Sequence, residues 1–374
     1  MPREDPLKSD AEAALRAALA AADPGPRVRE WLEGHAEVAR PRGRLAMIAV
    51  GKAACAMAAG ALAARSAEAG DVLVVTKDGH AGDCPSGAGR VLEAGHPTPD
   101  GRSLAAGEDI LRRVEALGAD DELLLLVSGG ASALAEALPG GIPPDDWFAA
   151  NRALVGGGLP IGAINAVRKH CSRLKGGRLG EAAAPAAVTA LLLSDVIGDD
   201  PAVIGSGLAA PDPSTFAEAL GAAEGLADLP DSVRAHLGRG ASGEAGETPK
   251  PGALGHARNV VVGSNRGALE AAADELEGRG YRAWLMTTRL QGEARHAARA
   301  LAAVALECRV SGHPGPAPAA FLWGGETTVT LGPEPAGQGG RSQELALAMA
   351  PDLAGEAGIG ALCAGTDGTD GPGE

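Results

Sequence analysis

The chain has 374 residues, of which 45% are hydrophobic but only 2% aromatic, and its formal net charge is −15. This length accommodates two domains at the usual scale of roughly 100–200 residues each, around a core that must be built from Ala, Val and Leu. The acidity argues against broad nucleic-acid binding, which needs a basic footprint, although a locally positive cleft can still hold a phosphate.

The five cysteines, Cys55, Cys84, Cys171, Cys308 and Cys363, are dispersed and form no CxxC pair. They predict neither a disulfide framework nor a zinc site, and fit a reduced cytoplasm. The charged N-terminus lacks the apolar run of a signal peptide. No stretch approaches the ~18 uninterrupted apolar residues that span a bilayer, so a membrane is not an expected partner.

In chain order, residues 45–50 read as a strand and 53–69 as the helix after it. Residues 72–76, 123–128 and 188–194 read as further strands, each a continuous apolar run of the kind found where both sheet faces are covered. Residues 101–117, 145–155 and 163–184 read as intervening helices. This alternation predicts an α/β fold with a doubly wound, mainly parallel, Rossmann-like sheet over residues 1–235. A polar, Gly- and Pro-rich stretch, 236–258, reads as a linker, with a surface loop inside one domain as the alternative. Residues 259–374 read as a smaller α/β domain. Its strands are 259–263, 282–287, 319–323, 327–331 and 358–364, and its helices 265–279, 290–310 and 341–353. The short separation between 319–323 and 327–331 predicts a hairpin, and hence a mixed sheet.

Neither GxxxxGK[ST] nor a GxGxxG after the first strand occurs, so a nucleotide must be held in another way. Lys52, in VGKAACAM, stands where the first strand turns into a helix, and ligands of open α/β sheets bind outside the carboxyl ends of the strands. Ser128, Gly129, Gly130, Ala131 and Ser132 form a Gly-rich strand-to-helix loop, which is either a phosphate cradle or an ordinary capped turn. Arg168, Lys169, Arg173, Lys175 and Arg178 concentrate positive charge, so that Arg168, Lys175 and Lys169 could line one helix side facing an anion. Asp195 follows a strand directly, with Asp199 and Asp200 on the next turn. Such carboxylates suit hydrated Mg2+ and equally suit turns and caps. Towards the C-terminus stand Glu326, Arg341 and Glu344, with Asp367 and Asp370 in GTDGTDGP. Arg341, at a helix start, suits bidentate contact with a carboxylate or phosphate. His96, in GHPTPD, reads as either a substrate contact or a structural histidine.

Together VGKAACAMAAG, VVTKDGHA, EAGHPTPD, LLLVSGGASAL, INAVRKHCSRLKGGRL, LLLSDVIGDDPAVIGSG, WGGETTVTL, GGRSQELALA and GTDGTDGP resemble the glycerate 2-kinase family. That family joins a DUF4147-type N-terminal domain to a C-terminal MOFRL domain. The resemblance implies a cytoplasmic enzyme that phosphorylates D-glycerate at the 2-hydroxyl with ATP and Mg2+, in a cleft between two domains. It implies Lys52 and Arg341 as the leading active-site cations. On this reading Ser128–Ser132 and Lys175 hold the ATP phosphates, Asp195 and Asp200 hold Mg2+, and Asp367 is the candidate base. The oligomeric state is open, with a homodimer as one option. Ala131, Ile197, Leu208, Ala209 and Trp323 depart from the family pattern. Family members continue beyond GTDGTDGP for some tens of residues, so a fragment or natural truncation is expected, less stable and less active than a longer form. The rivals are an NAD(P)H-dependent hydroxypyruvate reductase, a name also used in this family, and an inactive ligand-binding relic.

Overall fold

A computed structural model describes residues 6–66, 69–332, 337–366 and 370–371. The chain divides into two compact units, Pro24–Val262 and a second formed by Met1–Asp23 with Gly263–Glu374.

The first unit is organised on a six-stranded sheet. Its strands are β1 (Leu45–Val50), β2 (Ala69–Lys77), β3 (Arg90–Ala94), β4 (Glu122–Val127), β5 (Ala187–Leu193) and β6 (Ala257–Gly263), in the order β3-β2-β1-β4-β5-β6. The pairs β1–β2, β1–β4, β2–β3 and β4–β5 are all parallel. Every residue of β1 and of β4 is buried. Leu45, Met47 and Ala49 enter the core on one sheet face, and Ala46, Ile48 and Val50 enter it on the other. Each large side chain so buried contributes about 1.5–3 kcal/mol, which is why these strands are unbroken apolar runs. Val28 and Leu32 of the helix Pro24–Gly34, with Met57 and Ala61 of Ala54–Arg65, cover the first face. Ile110 and Val114 of Gly101–Val114 cover the second. A separate helical cluster packs Trp147, Val167, Phe216 and Leu237 together.

In the other unit β7 (Arg282–Leu290) and β8 (Ala319–Gly325) form a two-stranded parallel sheet. The N-terminal helix Pro6–Ala22 packs through Ala14 and Ala18 on Ala268, Ala272 and Leu276 of Asn265–Gly278. Asp10 of that helix accepts hydrogen bonds from Arg279 and from the Tyr281 hydroxyl, both at 2.8 Å.

Several expectations are corrected. Residues 257–263 join the large sheet beside β5 instead of opening a second one. The expected hairpin is absent among the described residues: beyond β8 there is only an isolated parallel bridge, Thr328 with Glu293, so the small sheet as described is parallel, not mixed. Residues 358–364 form no strand. The expected helix 163–184 is two helices, Ile161–His170 and Arg178–Ala182, separated by a turn in which Gly176 and Gly177 have φ of 62° and 86°. The stretch 236–258 falls within the first unit, where Glu247 and Thr248 are hydrogen-bonded to Phe216 and Asp212. Cys55 and Cys84 form a disulfide, because the helix after β1 lies against the loop after β2.

Candidate functional site

The chain runs from β1 outward to β2 and β3, then returns to place β4 on the other side of β1. The loops leaving β1 and β4 therefore diverge, and the crevice at such a switch point is where α/β sheets bind ligands. Two hydrogen bonds join the loops. The Lys52 amide donates to the Gly129 carbonyl at 2.9 Å, and the Ala53 amide donates to the Ser128 hydroxyl at 3.0 Å. Ser128 is thus a buried anchor that fixes the Lys52 turn against the Gly-rich loop.

That loop is tightly constrained. Gly130 has a φ of 85°, and a Cβ there would stand 3.0 Å from the His96 ring and 3.3 Å from Lys52 Cγ. A Cβ on Gly129 would lie 1.8 Å from a carboxylate oxygen of Asp195. The positive φ favours glycine at position 130, and at position 129 a side chain would require the Asp195 carboxylate to move. Ala131 turns its methyl group into the core, and its amide donates to the Ser128 carbonyl at 3.3 Å. The departure at this position therefore adds its methyl to the packing, not to the loop's open face. Ser132, one residue on, is half-buried.

His96 arrives from the loop after β3. The end of that loop is pinned by a capping box: Asp100 accepts the Arg102 and Ser103 amides, and the Ser103 hydroxyl accepts the Asp100 amide. Burial, then the positive charges of Lys52 and Lys77, hold the His96 imidazole below the usual histidine value. A neutral ring beside two ammonium groups is the result. Sequence reasoning left His96 undecided and passed over Lys77. The missed signal was β3, whose short, half-exposed run RVLEA carries the loop to this crevice.

The other predicted residues lie elsewhere or engage other partners. Lys175 has no exposed surface, and its ammonium is held by the Glu136 carboxylate, which also accepts the Ser172 hydroxyl at 2.5 Å. Burial pushes both members of this pair towards neutrality, and each offsets that for the other. The expected cationic helix face does not form. The helix ends at His170, Arg168 donates to Asn151 at 3.0 Å, and Lys169 pairs with buried Asp212 at 3.0 Å. Asp200 accepts the Ala202 amide at 2.9 Å. Arg341 belongs to the other unit and pairs with Glu326. In that unit Asp370 accepts the Ser342 and Gln343 amides at 2.9 and 2.8 Å, capping the helix Arg341–Leu353. Asp367 lies outside the described residues.

Comparison with known proteins completes the picture. The family model described as a domain of unknown function, DUF4147, matches residues 10–238, and the MOFRL family model matches residues 319–374. A D-glycerate 2-kinase from Thermotoga maritima is 39% identical over 333 residues, covering 88% of this chain and 76% of that protein. A protein from Agrobacterium vitis with a provisional hydroxypyruvate reductase name is 44% identical over 358 residues, covering 95% of this chain and 78% of its own. The crystal structure of a glycerate kinase from Thermotoga maritima superposes with a TM-score of 0.87 at 37% identity, covering 98% of this chain and 85% of that one.

Proposed function

The chain belongs to the glycerate kinase family, and from that premise we propose that it phosphorylates D-glycerate at the 2-hydroxyl, using ATP and Mg2+. The observation that carries this reading is the convergence of Lys52, His96 and Asp195 on the Gly129–Gly130 loop. Phosphoryl transfer needs chiefly positioning and charge stabilisation, and a strand-end loop flanked by a cation and a carboxylate supplies both.

In this reading the backbone of Ser128–Ser132 receives the ATP phosphates, and Lys52 stabilises charge on the transferring group. Arg341, from the MOFRL region, is the second cation of this reading. Asp195 suits Mg2+, an ion that keeps several waters and needs only one or two protein carboxylates beside phosphate oxygens. When bound, that ion would neutralise charge developing on those oxygens. His96, kept neutral by its surroundings, accepts the proton of the glycerate hydroxyl as the hydroxyl oxygen bonds to the γ-phosphorus and the bond to the bridging oxygen breaks. Lys175 acts from within the fold by holding Glu136. The partner is a small molecule and the proposed setting the cytoplasm. The Cys55–Cys84 disulfide argues the other way, since such bonds are rare in reducing compartments.

The reductase reading is carried by names among relatives, but VGKAACAM stands where a dinucleotide-binding chain would carry its glycine fingerprint. Coupled ADP release with D-glycerate, run beside NADH oxidation with hydroxypyruvate, separates the two. Turnover in the first assay alone is expected. Turnover in the second alone would establish the reductase, and silence in both would leave only a binding protein.

A further inference from the structure

Lys77 ends β2 at the carboxyl edge of the large sheet, between the strand that leads to Lys52 and the strand that leads to His96. It pairs in register with Ala94, the last residue of β3, and His96 follows two residues later. On the other side the Gly51 amide donates to the Val75 carbonyl at 3.1 Å, which fastens the Lys52 turn to β2 just before Lys77. Side chains alternate along a strand, so Lys77 shares the sheet face of Val75, where Ala94, Val127 and Ala131 enter the core. The short helix Ala131–Leu134, which follows the Gly-rich loop, packs on β2. The half-buried Lys77 therefore leaves the sheet on the side of that loop.

The carboxylates around this end of the sheet have other partners. Asp78 and Asp100 share the Arg102 guanidinium, which donates to Asp78 at 2.9 Å and to Asp100 at 2.8 Å. Asp83 faces the His80 ring at 3.8 Å, and Glu93 accepts the Ala81 amide at 2.9 Å. Lys77 enters no ion pair among the described residues. The Arg102 bridge also ties the residue after Lys77 to the loop that carries His96, so the ammonium and the imidazole are held relative to one another.

We propose that Lys77 binds the carboxylate of the acceptor substrate and so selects the hydroxyl that reaches His96, an inference that rests on the phosphorylation of D-glycerate proposed above. In a 2-hydroxy acid the carboxylate and the reacting hydroxyl stand on adjacent carbons. A cation beside the proton acceptor holds the first group while the second faces His96. The 3-hydroxyl, one carbon further on, is then directed away. Lys52 and Lys77 divide the charge between them, Lys52 at the transferring phosphoryl group and Lys77 at the acceptor. An ammonium is a compact point charge suited to a small carboxylate. The substrate class selected is the small 2-hydroxy acid, against neutral polyols that lack the anchoring group.

The test uses the full chain, with D-glycerate and its uncharged amide, glyceramide, as acceptors. Lys77→Met should raise KM for D-glycerate by about tenfold or more, the loss of one charge-assisted contact, with little change in KM for ATP. Lys77→Arg, which keeps the charge, should retain most of the affinity. The preference of the wild-type chain for D-glycerate over glyceramide should collapse in Lys77→Met, whereas a merely structural role would leave that preference intact. Thermal melts check folding, and Lys77→Gln replaces Lys77→Met if the latter does not fold. An unchanged KM for D-glycerate, a rise shared equally by ATP, or a preserved preference would each overturn the assignment. Calorimetry with D-glycerate alone reads the same contact without turnover. Wild-type binding that weakens in Lys77→Met would support Lys77 even if no ADP were released. ADP release by the wild-type chain, with binding unaltered in the variant, would overturn Lys77 and leave the proposed reaction standing. A wild-type chain that neither binds nor turns over D-glycerate would overturn both.

Discussion

Lys52 leaves β1 at the one point in the sheet where neighbouring loops part, and its amide is tied to Gly129. The side chain is therefore delivered to the crevice by backbone that the core already fixes. Lys52→Ala should keep the fold and lower kcat/KM for D-glycerate by about 10²-fold or more, as the loss of a preorganised charge does. Near-normal turnover in a folded variant would remove Lys52 from the mechanism. Asp195 lies so close to Gly129 that a Cβ there would displace its carboxylate. Asp195→Asn replaces a hard anionic oxygen with a neutral one, so the Mg2+ concentration needed for half-maximal activity should rise. An unshifted Mg2+ titration would move the metal site elsewhere. Both residues were legible because a charged side chain directly after a buried strand has few other places to go. His96 was not, since nothing local to GHPTPD reports that β3 pairs with β2 and brings that loop to β1.

At the scale of elements, the turn between the helices Ile161–His170 and Arg178–Ala182 decides what Lys175 does. Helical spacing through 163–184 would set Lys175 in line with Arg168, facing an anion. The helix ends at His170, ahead of Lys175, so that register is lost and Lys175 is turned into the core against Glu136. Lys175→Met should destabilise the protein by about 3–5 kcal/mol, because it leaves a buried carboxylate uncompensated. The double change Glu136→Gln with Lys175→Met should recover much of that loss. Urea unfolding of the three chains measures it, and a single variant as stable as wild type would show that the pair contributes nothing. The hairpin expected near 327–331 failed for a related reason. GGE separates two β-prone runs, but β8 takes β7 as its partner, and a short spacing does not say which partner wins.

The whole molecule carries a net charge of −15, yet its candidate site gathers Lys52, Lys77 and a histidine beside one loop. An anionic substrate is therefore met by these local cations although the chain as a whole is negative. Raising ionic strength from about 0.01 to about 1 M shrinks the Debye length from about 30 to about 3 Å. Attraction inside the crevice is then screened, so KM for D-glycerate should rise several-fold while kcat changes little. A KM that stays flat or falls with salt would mean that the surrounding acidity, not the local cations, governs approach. The division into units also belongs to this scale. The N-terminal helix joins the unit formed by the C-terminal part, through Ala14 and Ala18 against Ala272 and Leu276. An amphipathic alanine-rich helix carries no record of which distant helix will cover it.

By itself, the sequence determined the α/β class and the strands β1, β2, β4 and β5, because strands covered on both faces must be continuous apolar runs. It also put Lys52, the Gly-rich loop and Asp195 directly after strands, and there the structure brings them side by side. Only the tertiary structure decided the strand order, the place of β6 in the large sheet, the burial of Lys175 and the arrival of His96 beside Lys52. The physical reason is separation along the chain. Periodicity reports whether a residue faces a core, but which partner it meets there is settled by contacts between segments that are far apart in sequence.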